Sequence, residues 1–247
     1  MQSVRCNHNE SEIKFEQFCV AQGIPFERID TGPFTTPDYD IYVHGQKVVV
    51  EVKEFETNED DKKVLHEMET KSHVSSGIHR VGDRIRYKID NAKHQLENRA
   101  KGYFPSLLVL YDTRPYPIRG ISPYEIIVAM YGWETIDLHA SEKAGEPIKF
   151  GPHRFGKGKK FREGVHTYIS GLAVLSERGT NPLRLDIYVN DFVDKPLPFE
   201  NLVQMENVSL FVRPPSQTNK FRNWARLVAD RNRRQGTATT KRIHKNA

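Results

Sequence analysis

Pro37-Asp38-Tyr39-Asp40-Ile41-Tyr42-Val43-His44-Gly45-Gln46-Lys47-Val48-Val49-Val50-Glu51-Val52-Lys53 decides how the chain reads. In its second half Val48, Val50 and Val52 alternate with Val49, Glu51 and Lys53, the period of two that gives a strand two different faces. In its first half Tyr39, Ile41 and Val43 alternate with Asp38, Asp40 and Tyr42. His44-Gly45 between them suits a two-residue hairpin turn. With that turn Asp38 lies directly across from Glu51; a turn longer by two residues brings Asp40 there instead. Two carboxylates and an ammonium on one face are costly unless something else sits among them. A divalent metal with a phosphate is the natural candidate.

Working outward, Glu10 to Gln22 carries apolar residues at Ile13, Phe15, Phe18, Cys19 and Ala21. This predicts a one-sided helix, capped by Asn9 or Ser11 and stopped at Gly23. Ile24 to Ile29 reads as a strand and Thr31 to Thr36 as a loop. Beyond the hairpin, Ile85, Ile89, Ala92, Leu96 and Ala100 recur at helical spacing, so Asp83 to Lys101 is predicted to be an amphipathic helix. Ser106 to Tyr111 is an apolar run that fits a fully buried strand. A helix crossing from one strand to another buried strand is the unit of an α/β fold.

Pro37-Asp38 followed by Glu51-Val52-Lys53 at a strand end, after a helix and a first strand, resembles the PD-(D/E)xK nuclease superfamily. The resemblance covers roughly residues 10 to 112. It implies a restriction-endonuclease-like core: a mixed central sheet flanked by helices, here with additional β-rich elements and a basic C-terminal tail. It also implies a metal-dependent endonuclease hydrolysing phosphodiester bonds, with DNA ahead of RNA as substrate and Mg²⁺ or Mn²⁺ as cofactor. Asp38 and Glu51 would then be ligands, with the Val52 carbonyl a further one and Asp40 the alternative to Asp38. Lys53 would stabilise charge on the phosphate or orient the attacking water. Members often carry a glutamate on the first helix that reaches the metal; Glu12 has that spacing and Glu16 follows one turn later. The alternatives are an RNA-cleaving enzyme, a non-catalytic nucleic-acid binder that keeps the fold, and an interaction protein whose hairpin matches by accident.

Charge is unevenly distributed. Of 37 Lys and Arg in the chain, ten fall between Arg213 and Ala247, facing the single acid Asp230, while the formal net charge is only +5. The first 212 residues are therefore slightly acidic, with a concentration of acids between Glu51 and Glu69. Glu56 to Gly77 lacks an apolar period and reads as a loop inserted beside the hairpin. Three basic groupings are candidates for phosphate contact. Arg84, Arg86 and Lys88 sit on the amphipathic helix; Arg154, Lys157, Lys159, Lys160 and Arg162 lie in the glycine-interleaved stretch 149 to 162; Arg233 and Arg234 belong to the tail.

Residues 1 to 212 thus read as a nuclease-like domain, with core about 10 to 112 and extra elements 113 to 212. Within the extra elements Val165 to Leu175 and Leu183 to Val189 read as strands, and Ser209 to Val212 as an edge strand. Residues 213 to 247 read as a basic tail, partly helical or disordered, with Trp224, Leu227 and Val228 at helical spacing. Two cysteines, Cys6 and Cys19, offer neither a disulfide framework nor a four-cysteine zinc site. No apolar stretch is long enough to span a bilayer and no signal-peptide pattern follows Met1, which predicts a cytoplasmic protein without membrane association. Nucleic acid is the expected partner, with a homodimer left open.

Overall fold

The computed structural model describes residues 9–29, 36–71, 80–100, 102–140, 145, 147–177, 179, 181–213 and 224–228, the side chains of 152–155 excepted. Helix α1 (Glu10–Gln22) begins where the Asn9 side chain accepts the Glu12 N–H at 2.8 Å and ends at Gly23, whose φ of 64° is left-handed. Strands β1 (Phe26–Arg28), β2 (Tyr39–Val43) and β3 (Gln46–Phe55) follow. Next come α2 (Glu59–Thr70), α3 (Asp83–Ala100), β4 (Ser106–Asp112) and α4 (Pro123–Tyr131). The remainder is β5 (Glu134–His139), β6 (Lys149–Phe155), β7 (Gly171–Ser176), β8 (Arg184–Val189), α5 (Phe199–Leu202), β9 (Val208–Val212) and β10 (Ala225–Leu227).

Eight strands form one mixed sheet in the order β1-β2-β3-β4-β7-β8-β9-β10, while β5 and β6 make a separate antiparallel ribbon. The parallel pairs are β3–β4, β4–β7 and β8–β9. The fold is therefore α/β, with helices on both faces of a large sheet. On one face Phe15, Phe18 and Cys19 of α1 pack with Tyr39, Ile41, Val48, Val50, Val52 and Val109. On the other, Ile85, Ile89, Ala92, Leu96 and Ala100 of α3 pack with Val49, Leu108, Leu110 and the residues of α4. Every residue of β4 is buried, as expected for a strand covered on both sides.

Several expectations are corrected. The stretch after β3 is not simply a loop, because α2 fills residues 59–70, opened by a reciprocal capping box between Asn58 and Asp61. None of its residues is buried, so it leaves no apolar period to read. Of the glycine-interleaved stretch 149 to 162, expected to be a loop, Lys149–Phe155 is strand β6. Residues 165 to 170 precede β7 rather than belonging to it. β9 is internal, since it pairs with both β8 and β10. The helical spacing at Trp224, Leu227 and Val228 is overridden by tertiary pairing, for Ala225–Leu227 is a strand against Leu210–Val212. Among the described residues no helix is long and apolar enough to cross a membrane.

Candidate functional site

The turn between β2 and β3 fixes the site. His44 and Gly45 both have positive φ, 48° and 81°, as a two-residue hairpin turn of the favoured hand requires. The register then pairs Val43 with Gln46, Ile41 with Val48, Asp40 with Val49 and Tyr39 with Val50. The next pair in this series is Asp38 opposite Glu51, so Asp40 is displaced from Glu51 and faces Val49.

Pairing stops there for a reason present in the sequence. N–H and C=O of one strand residue point to the same side, and those of Val52 point towards β2. Its ladder partner would be Pro37, which has no N–H. The Asp38 carboxylate takes the Val52 N–H at 2.8 Å, capping the ladder with a side chain. The Val52 carbonyl faces the same gap without a donor from Pro37.

Glu51 is 0% exposed. Lys53 Nζ forms an ion pair with its Oε1, and the Gln95 amide of α3 lies close enough to favour the charged form. Neither carboxylate oxygen, however, accepts a well-directed hydrogen bond. Burial, followed by the charge of Asp38, pushes the Glu51 carboxyl up to about 7, with Lys53 and Gln95 offsetting only part. Asp38 is also raised, first by burial; the Val52 N–H and Lys53 pull it down, Glu12 pushes it up and Arg28 pulls it down. Two neighbouring carboxyls that both resist ionisation mark a place short of positive charge.

Asp40 has a different fate. It is 1% exposed, and Lys47 Nζ and Arg99 Nη2 each approach its Oδ2 at 2.5 Å. Its charge is answered within the protein, so it is not the ligand the longer-turn alternative made of it. Glu12, on α1, engages Arg28 of β1 at 2.5 Å. Glu16 accepts the Tyr39 hydroxyl at 2.8 Å. Arg28 went unnoticed in the sequence; the signal was its place opposite Tyr39 in the β1–β2 pairing, on the α1 side of the sheet.

Among the described residues no group of three or more His, Cys, Asp or Glu is placed to hold a metal ion. The side-chain donors thus reduce to Asp38 and Glu51, with Glu12 committed to Arg28. Two carboxylates and one carbonyl still fit Mg²⁺, which keeps several waters and rarely takes an all-protein cage. The oxygens of buried Glu51, approached by Lys53 but meeting no well-directed hydrogen-bond donor, are the observation that fits a divalent cation held here.

The basic candidates separate. Arg84 lies on the Phe55 ring, 4.2 Å from its centroid, and binds Asp61 at 2.7 Å and the Glu56 carbonyl. Arg86 is 7% exposed and bonded to Asp83, Val81 O and Val128 O, so it ties α3 to α4 and is removed from the phosphate-contact set. Lys88 is half-buried and, among the described residues, makes no ion pair or hydrogen bond. Lys157, Lys159 and Arg162 are exposed, whereas Lys160 pairs with Asp90 at 2.5 Å. Arg154 sits on β6 opposite Thr135, with its side chain outside the described ones. Arg233 and Arg234 lie outside the described residues. Compared with protein-family models, with curated proteins and with solved structures, the chain finds no match.

Proposed function

We propose that this protein is a metal-dependent nuclease with a restriction-endonuclease-like core, hydrolysing nucleic-acid phosphodiester bonds. One observation carries the reading: Asp38 and Glu51 converge where β2 ends and β3 continues, with Glu51 fully buried, lacking well-directed hydrogen bonds, and beside Lys53. The order helix, three antiparallel strands, two helices and a parallel strand, the second of those helices packing on the sheet, supports the same resemblance.

Asp38 and Glu51 would hold Mg²⁺ or Mn²⁺, with the Val52 carbonyl facing the same gap. Such a cation supplies Lewis acidity to a phosphate and activates a water at neutral pH. Asp38 is oriented for this by the Val52 N–H, which fixes one carboxylate oxygen and leaves the other. Lys53 now rests on Glu51. From its place beside Glu51, the Lys53 ammonium would be positioned to offer its charge to a non-bridging phosphate oxygen, where negative charge grows during attack. The Arg28–Glu12 pair holds a second carboxylate near Asp38 without adding an unanswered charge.

A non-catalytic nucleic-acid binder is the second reading, favoured because no group of three or more His, Cys, Asp or Glu among the described residues is placed to hold a metal. Incubating purified protein with single-stranded, duplex and branched DNA and with RNA, each with Mg²⁺ or Mn²⁺, tests the first. Cleavage lost in Glu51→Ala and Lys53→Ala supports it. Cleavage that survives both changes, or a Mn²⁺ affinity indifferent to Glu51, defeats it.

A further inference from the structure

Next to the carboxylates, further along β3, a cleft of about 380 Å³ opens between the β3–α2 connection and the first turns of α3. Glu56, Thr57 and Asn58 form one wall; Asp83, Arg84, Tyr87 and Lys88 form the other. Residues 84, 87 and 88 share one face of α3, because positions three and four apart are neighbours on a helix. From Lys53 to Glu56 is about 10 Å along the strand. Lys88 bridges that interval, close enough to Lys53 for the two ammoniums to repel.

Three side chains of the cleft are already engaged. Arg84 is fixed by Asp61, the Glu56 carbonyl and the Phe55 ring. The Asn58 side chain caps α2, and Asp83 binds Arg86. Tyr87 and Lys88 are among those that are not. Tyr87 holds its ring 63% exposed. Lys88 is half-buried with no anionic partner in contact among the described residues; burial chiefly lowers its pKa, Glu56 pulls it back up, and Lys53 and Arg84 lower it further. A desolvated cation without a partner beside a free aromatic face is the pairing of parts used to bind single-stranded nucleic acid: one charge for a phosphate and one ring for a base.

We propose that this cleft takes one unpaired nucleotide of the substrate strand, its phosphate on Lys88 and its base stacked on Tyr87. The substrate class is then single-stranded DNA or RNA, or a strand with an unpaired segment, rather than continuous duplex. A base held in a pair cannot offer its face to Tyr87, which makes the ring selective for unpaired bases. This proposal rests on the nuclease reading of Asp38 and Glu51, since only that reading directs a nucleic-acid strand along β3.

The test is fluorescence anisotropy of the full chain in EDTA, with labelled 12-nucleotide single strands of DNA and RNA and with the matching DNA duplex. Single strands are expected to bind at least about fivefold tighter than duplex. Tyr87→Ala should weaken single-strand binding about tenfold and leave duplex binding unchanged, while Tyr87→Phe, which keeps the ring, should retain it. Lys88→Ala should lower single-strand affinity and reduce the slope of log affinity against log salt by about 0.7. Equal affinity for single and double strands, or single-strand affinity unchanged in Tyr87→Ala, overturns the cleft. Cleavage that persists in Glu51→Ala overturns the nuclease reading instead, whatever Tyr87 does. Tyr87 is exposed and Lys88 half-buried, and thermal unfolding of each variant confirms that it is folded before its affinity is compared.

Discussion

Asp40 and Glu51 lie on the same face of one hairpin, and both are buried almost completely. Asp40 is gripped by two cations, Lys47 from the neighbouring strand and Arg99 from α3. Glu51 has one lysine and a second carboxyl beside it, and its oxygens lack well-directed hydrogen bonds. A buried charge is tolerated only when it is paired and hydrogen-bonded. The first acid meets that condition from within the protein and is a structural element. The second does not, and a group left in that state is a candidate for work on something that arrives from outside.

The difference is broken most directly at Glu51 and Lys53. If the contrast is right, Glu51→Ala and Lys53→Ala each reduce Mg²⁺-dependent cleavage by about a thousandfold while the protein still unfolds cooperatively. Asp40→Ala does the opposite. Stranding Lys47 and Arg99 should cost about 3 kcal/mol in chemical denaturation, with cleavage per folded molecule nearly unchanged. Equal loss of activity in Asp40→Ala would erase the distinction between the two acids.

The pH dependence sharpens it further. Glu51 titrates at about 7 in the folded protein against an ordinary 4.5. Between those values the folded state keeps a proton that the unfolded state has lost, so metal-free stability falls as pH rises through this window. The total is roughly 3 kcal/mol by pH 8, and the raised Asp38 adds to it with the same sign. Denaturant midpoints measured in EDTA from pH 4 to 8 should show this decline. Glu51→Gln should flatten it, and added Mn²⁺ should restore stability at the alkaline end. The smallest effect is expected at Asp61, which anchors α2 through Arg84 at 2.7 Å and Arg114 at 3.7 Å. Asp61→Ala should cost about 1 kcal/mol and modestly raise nucleic-acid affinity, measured by anisotropy against wild type.

The hairpin was legible because strand alternation and a glycine turn specify register without help from elsewhere in the chain. The same holds for α3 and β4, whose apolar spacing or continuous apolar run carries the signal. The contrast between Asp40 and Glu51 was not legible, since Arg99 reaches Asp40 from 59 residues away. Arg86 reads as one more charge on a wet helix face, yet its guanidinium serves the backbone of α4. In α2 the capping pair Asn58 and Asp61 was readable, but no buried side chain supplied a period. β10 is three residues long, and only its pairing with β9 makes it a strand.

One consequence concerns the unequal strands of the hairpin. β3 has ten residues and β2 only five, so among the described residues β3 is paired on the β4 side alone from Glu51 onward. The eight-stranded sheet therefore contains an open edge inside itself, one strand wide. Open edges invite another peptide to add on. Here the first open position belongs to Val52, whose N–H is already taken by Asp38, and Pro37 stands where pairing would resume. The flanking Glu51 and Lys53 charges discourage an apolar strand further. What the truncation leaves, among the described residues, is a short unpaired stretch of β3 whose own chemistry is unsuited to adding another polypeptide strand.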